Sequence, residues 1–116
     1  MSDKLDRLVA TRVMGWTVRE SDPDDNDYER YTNGWAVSRW NPSTSIAAAW
    51  EVQVAMKAKG YKIHFEDFGN RYLANFAGAC YEWRGNREHS NECMAICLAA
   101  LAAVNVPEAT IQEACK

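Results

Sequence analysis

His89, Cys93 and Cys97 follow one another at intervals of four residues, a spacing that places all three on one face of a helix. Imidazole and thiolate groups are competent zinc ligands, and Cys80 is available as a fourth. However, the sequence contains no Cys-x-x-Cys pair, and the two helical thiols lie in an apolar run that continues to Val104. Because free cysteines are commonly buried, we interpret Cys93 and Cys97 as core thiols and predict no bound metal or cofactor.

A concentrated acidic run occupies residues 20–29, where six of ten residues are carboxylates. Its spacing imitates the start of a calcium-binding loop, but Asp27 stands where that loop needs glycine and Asn33 where it needs glutamate. Calcium binding is therefore disfavoured. The run is typical of a solvated loop that aids solubility, and a concentrated negative loop can also dock on a basic surface of a partner.

Aromatic side chains lie at the end of the acidic run and after it, at Tyr28, Tyr31, Trp35 and Trp40. Tryptophan and tyrosine are common anchors of protein interfaces, but here they can equally complete a core that is poor in leucine. We expect Trp35 and Trp40 to be partly exposed. The docking hypothesis assigns partner binding to Asp22, Asp24, Asp25, Asp27, Glu29, Tyr31 and Trp35.

Residues for nucleophilic or acid–base catalysis are not gathered in a recognisable pattern. The sequence has two histidines, His64 and His89, and no Gly-x-Ser-x-Gly motif. The adjacent carboxylates Glu66 and Asp67 would point to opposite sides of a strand, which prevents shared acid–base work. We therefore predict that the protein is not an enzyme.

Arginines and aromatic residues come together between positions 71 and 87. Planar arginine groups and aromatic rings are what a site for an anionic small molecule, such as a nucleotide signal, would need. This alternative assigns ligand binding to Arg71, Arg84, Arg87 and Tyr81.

Length and composition restrict the class of protein. The 116 residues suit one domain over 1–116, and 47% hydrophobic and 25% charged residues are typical of a soluble globular protein. A net charge of −3 without a Lys/Arg cluster argues against direct nucleic-acid binding. No apolar run reaches about 18 residues and the N-terminal residues do not resemble a secretory signal, so we expect no membrane contact and a cytoplasmic location.

Capping residues and apolar periodicity divide the chain into elements. The first half is predicted as a helix from Ser2 to Gly15, a loop over 20–34, a strand over 35–40, and a helix capped by Ser43 or Thr44 and ended by Gly60. The second half is predicted as two or three antiparallel strands over 61–84 with a bulge or bend at Gly78, a polar turn over 84–87, a helix from Ser90 or Asn91 to before Pro107, and a short helical turn in the tail 107–116. This order indicates an α+β fold: a small antiparallel sheet of three to four strands flanked by helices, as an α-β-α sandwich.

The second helix carries an apolar stripe at steps of three and four residues. It consists of Ala47, Trp50, Val54, Ala58 and Tyr61. We predict that this stripe faces the sheet and that Trp50 supplies most of its buried area. Truncating Trp50 to alanine would then cost about 3–5 kcal/mol.

Two segments carry a family resemblance, NPSTSIAAAWEV at 41–52 and AICLAAL at 95–101. With the strands between them they resemble the phage ABA sandwich domain family, small phage and prophage proteins with a helix that begins NPS and continues to AWE, a β-meander and a terminal AIC-x-A-A-L helix. The resemblance covers roughly residues 1–106. It implies a sheet flanked by helices and a phage or prophage origin, and it supplies no catalytic residues. The acidic loop is longer and more charged than the resemblance leads us to expect.

Together these observations predict a non-enzymatic phage accessory protein that binds a host protein in the host cytoplasm. An inhibitor of a host defence or nucleic-acid-handling protein, docking through the acidic loop, is the expected form of this function. Two alternatives stay open, a protein that sequesters a nucleotide signal and a structural or assembly subunit. Self-association is compatible with each of them.

Overall fold

A computed structural model of the chain describes residues 2–20, 29–32, 35–78 and 83–115. Its elements are α1 (Ser2–Arg12), β1 (Val18–Glu20), β2 (Glu29–Tyr31), a 3-10 turn (Val37–Arg39), α2 (Ile46–Ala58), β3 (Lys62–Asp67), β4 (Tyr72–Ala77), β5 (Trp83–His89), α3 (Glu92–Ala103) and α4 (Glu108–Ala114). The predicted α+β class is confirmed. Among the described helices, none is long and apolar enough to cross a membrane.

Strands β3, β4 and β5 form an antiparallel sheet in sequential order. Ile63 on β3 pairs with Phe76 on β4, which places two apolar side chains opposite each other on one face. The register between β4 and β5 shifts at Phe76 and Ala77, beside the glycine that predicts a bulge or bend. The predicted polar turn at 84–87 is wrong: these residues belong to β5, because an edge strand accommodates polar residues in its ladder.

Helix α3 lies at the centre of the core. Asn91, one of its two predicted caps, accepts a hydrogen bond from the backbone N–H of Met94 at 3.1 Å. The helix packs on β4 and β5 and also contacts α1, α2 and α4. Because it meets neighbours on several sides, it is apolar nearly all round. Its buried residues are Cys93, Ala95, Ile96, Cys97, Ala99, Ala100, Leu101 and Ala103.

The first two helices end at glycines, as predicted. Gly15 follows α1 with a φ of 76°, and Gly60 follows α2 with a φ of 94°, a conformation that favours glycine. The tail extends further than the predicted short turn, since α4 runs over Glu108–Ala114.

The start of α2 differs from the prediction. Ser45, rather than Ser43 or Thr44, caps the helix by accepting a hydrogen bond from the Ala48 backbone N–H at 3.4 Å. The buried Ser43 has a different role, because its backbone N–H donates to Asp6 Oδ1 at 2.9 Å. This bond joins the entry of α2 to α1.

Two predictions for residues 20–40 are also wrong. The predicted loop contains β2, which pairs antiparallel with β1. The strand predicted at 35–40 is a 3-10 turn, with a single bridge between Ala36 and Arg30. The chain turns here because Trp40 enters the core, where only 1% of its surface stays exposed.

The orientation of α2 is opposite to the prediction. Its buried residues are Ala48, Ala49, Val52 and Met56. The predicted core residues Trp50 and Val54 face outward, with 61% and 54% of their surfaces exposed. The reason is that α2 packs against the alanine-rich α3, and small side chains on both helices allow a close approach.

Candidate functional site

Three large apolar side chains form a stripe on the solvent side of α2. Ile46, Trp50 and Val54 are four residues apart and expose 50%, 61% and 54% of their surfaces. Side chains at this spacing lie one helical turn apart on the same side. We call these three residues the outer face of α2. A contiguous exposed apolar surface of this kind is typical of an interaction site.

Packing behind α2 fixes the position of the outer face. Val52 and Met56 are fully buried on the inner side of the helix. In addition, Trp40 Nε1 donates a hydrogen bond to Glu51 Oε2 at 3.0 Å, directly beside Trp50 in the sequence. Because the helix is ordered by these contacts, a partner would not have to order it on binding, and this reduces the entropic cost.

Trp16, Tyr31 and Trp40 form an aromatic cluster in the core. The ring centroids of Trp16 lie 4.7 Å from Trp40 and 5.6 Å from Tyr31. Tyr31, predicted to contact a partner, is completely buried, and Trp40, expected to be partly exposed, is buried as well. This corrects both predictions, because the large rings fill space that leucine occupies in other cores. Trp35, with 47% of its surface exposed, does lie at the surface as predicted.

The acidic run connects β1 to β2. Asp22, Asp24, Asp25, Asp27 and the side chain of Glu29 lie outside the part of the chain that the structure describes. The ladder pairs the backbones of Glu20 and Glu29, so both ends of the run are held side by side. The docking role of these carboxylates stays a prediction.

Two of the four predicted ligand-binding residues make ion pairs. Arg71 Nε lies 3.4 Å from Glu88 Oε2, and Arg87 pairs with Glu108 at the start of α4. Tyr81 and the side chain of Arg84 lie outside the described residues. Because two of the four residues are not described, ligand binding by the four together stays a prediction.

The thiols of Cys93 and Cys97 lie in the core, as predicted. Burial raises the pKa of Cys93, and the neighbouring carboxylate of Glu92 raises it further. Burial raises the pKa of Cys97 to well above its usual value, with a smaller effect from Asp6. Both side chains are consequently neutral thiols at physiological pH and unsuited to nucleophilic attack.

The histidines make local hydrogen bonds. His89 Nδ1 accepts a hydrogen bond from the Asn91 backbone N–H at 2.9 Å, and His64 pairs with Glu66 on the exposed side of β3. Cys80 lies outside the described residues. Within the described ranges, no group of three or more His, Cys, Asp or Glu side chains could hold a metal ion.

Sequence reasoning missed the outer face of α2. It assigned Trp50 and Val54 to the core because a stripe at helical spacing is usually the buried one. The signal that could have identified the surface is the inner stripe of α2, which is equally apolar, since Ala49, Val52 and Met56 follow the same periodicity. A helix with two apolar sides is typical of one that contacts neighbours on both.

The architecture defines a small α+β sandwich-type domain, in which an antiparallel meander is backed by an apolar helix. A family model for the phage ABA sandwich domain matches residues 7–101, a range that includes both sequence motifs. The chain therefore belongs to the phage ABA sandwich domain family. No curated protein and no solved structure matches it.

Proposed function

We propose that this phage-family protein acts by binding a host protein and that the outer face of α2 is its principal contact surface. The observation that carries the proposal is the stripe of three large apolar side chains on one side of a well-ordered helix. Tryptophan is enriched at the energetic centres of interfaces, and Trp50 is the middle residue of the stripe. Its exposed area, roughly 90–150 Å², is large for a single side chain.

The acidic run is the proposed second contact. Its charge would attract a basic surface and accelerate the encounter, while the apolar stripe would supply most of the affinity. A protein that handles nucleic acid, including a host defence protein of that kind, is the proposed partner, because binding to phosphate groups requires a basic surface. Occupying that surface would inhibit the partner without any bond being made or broken.

The test is a quantitative capture experiment from host lysate with immobilised wild type and two variants. Trp50→Ala removes the centre of the outer face, and Phe68→Ala removes an exposed aromatic side chain from the β3–β4 turn as the matched control. We expect one or more host proteins that Trp50→Ala loses and Phe68→Ala retains. If Trp50→Ala captures the same proteins in the same amounts as the wild type, the outer face is not the contact surface.

A second experiment separates a host partner from self-association. Light scattering coupled to size-exclusion chromatography gives the mass of the wild type and of Trp50→Ala. We expect the wild type and Trp50→Ala to have the same oligomeric state. A wild-type dimer that Trp50→Ala reduces to a monomer would mean that a second copy occupies the face, and the proposal of a host partner there would fail.

The acidic contact is tested by Asp→Asn substitutions at Asp22, Asp24, Asp25 and Asp27, which should slow association with the host protein.

A further inference from the structure

A groove of about 780 Å³ runs between α1 and α4, on helices that do not include the outer face of α2. Leu8, Thr11, Ala109, Thr110 and Ala114 line it, together with the charged residues Lys4, Arg7, Arg12 and Glu113. Three cations against one carboxylate make its lining positive, although the protein as a whole carries a net charge of −3. The groove thus concentrates positive charge on an acidic molecule.

The cations have a regular arrangement along α1. Lys4, Leu8 and Arg12 are four residues apart, so they form a stripe with a positive charge at each end and an apolar side chain between them. Two helical turns separate Lys4 from Arg12, which corresponds to about 12 Å along the axis. The Thr11 hydroxyl donates to the Arg7 carbonyl at 3.0 Å, so α1 itself satisfies that polar group.

The α4 side of the groove consists mainly of small residues. Ala109, Thr110 and Ala114 present short side chains along a helix that packs directly against α1. Small side chains allow another backbone to approach closely. A groove between two helices that is open to solvent and lined in this way suits a third helix laid into it.

The helix α1 is firmly held, which keeps the charged stripe in place. Leu5 and Val9 in the helix, and Val13 directly after it, are almost completely buried. Asp6 accepts the backbone hydrogen bond from Ser43, which ties α1 to the start of α2. The spacing of Lys4 and Arg12 along the backbone of α1 is therefore fixed.

We propose that the α1–α4 groove binds a helical segment of a partner protein that carries an acidic, an apolar and an acidic residue at positions i, i+4 and i+8. Such a helix repeats the spacing of Lys4, Leu8 and Arg12 with complementary charges. Carboxylates at its two ends meet Lys4 and Arg12, and its central apolar side chain contacts Leu8. This binding surface is separate from the outer face of α2, so an experiment can contradict the proposal for one surface and leave the proposal for the other unaffected.

The probe is a fluorescein-labelled helical peptide of about 16 residues with Glu, Leu and Glu at i, i+4 and i+8, a length at which isolated helices begin to form. Its control replaces both glutamates with lysine. Fluorescence anisotropy with the full chain should show binding of the acidic peptide and at least about tenfold weaker binding of the basic one at low salt. Equal binding of the two peptides, or no binding of the acidic one, would overturn the proposal.

Variants assign the binding to the groove. Lys4→Glu with Arg12→Glu should lower the affinity for the acidic peptide at least about tenfold and raise that for the basic peptide. The matched control, Lys57→Glu with Lys59→Glu, changes the net charge equally at the C-terminal end of α2 and should preserve the preference for the acidic peptide. Ala109→Phe fills the groove without altering charge and should also abolish binding while circular dichroism shows a folded protein.

Two further results would count against a helical ligand. Acidic-peptide binding that survives both Lys4→Glu with Arg12→Glu and Ala109→Phe would place the peptide elsewhere on the surface. Displacement of the peptide by decanoate at comparable affinity would show that the groove takes a small amphiphilic anion instead. If an unlabelled acidic helical peptide displaces the labelled peptide and decanoate does not, the result supports the proposal.

Discussion

Replacing Trp40 or Trp50 by alanine removes the same side chain from two opposite environments. Trp40 exposes 1% of its surface, contacts Trp16 and donates to Glu51, so its loss leaves a cavity and should destabilise the protein by about 3–5 kcal/mol. Trp50 exposes 61%, so roughly two fifths of that transfer energy is at stake and no closed cavity forms. Alanine is also the better helix former, and the expected loss is only about 0.5–1.5 kcal/mol.

Urea unfolding followed by circular dichroism at the helical band measures both variants without relying on tryptophan fluorescence. At this chain length, the two values correspond to melting temperatures lowered by roughly 12–20 °C for Trp40→Ala and by roughly 2–6 °C for Trp50→Ala. A loss of about 3 kcal/mol or more for Trp50→Ala, together with about 1 kcal/mol or less for Trp40→Ala, would contradict the observed orientation of α2. That result would restore the orientation of α2 predicted from periodicity.

Four smaller predictions concern the other contacts. Asn91→Ala removes the cap of α3 and should cost about 1 kcal/mol in thermal unfolding, whereas Ser90→Ala, one residue away, should be nearly neutral. The pKa of Cys97 is higher in the folded protein than in the unfolded chain. The contribution of this thiol to stability is therefore complete below the unfolded thiol pKa of about 8.5, and it is lost as the pH rises towards the folded pKa. Urea midpoints should consequently fall as the pH is raised above about 8.5. In native protein, mass spectrometry after alkylation should show modified Cys115 and protected Cys97; equal modification would contradict the buried placement. Asp6→Ala leaves the buried backbone N–H of Ser43 without its acceptor and should cost about 1–3 kcal/mol, measured by urea unfolding.

Local signals in the sequence predicted those elements whose ends depend on neighbouring residues. Gly15 and Gly60 mark helix ends because their positive φ angles are a backbone property. Asn91 marks the start of α3 because its side chain caps a backbone N–H three residues on. The continuous apolar run of α3 indicated burial on several sides. Predicting this burial did not depend on deciding which side of the helix faces the core.

Predictions that depended on distant contacts were less successful. The outer and inner sides of α2 are both apolar, so only packing against α3 decides which one is buried. Trp40 is drawn into the core by Trp16 and Tyr31, and this turns a segment with strand-like alternation into a 3-10 turn. The groove depends on α1 and α4, which are about a hundred positions apart in the chain, and no spacing within either helix predicts their contact.

The residues of the motif NPSTSIAAAWE at 41–51, on which the family resemblance rests, have different roles. Ser43 binds Asp6 through its backbone, Ala49 is fully buried against the core, and Glu51 accepts the hydrogen bond from Trp40. These three positions are accounted for by folding. Trp50 lies between Ala49 and Glu51 but exposes most of its surface, so packing within the chain does not explain why a tryptophan stands there. An exposed tryptophan flanked by structural residues is what a rigidly presented contact would require, and this placement favours a binding role for the outer face of α2 independently of its apolar area.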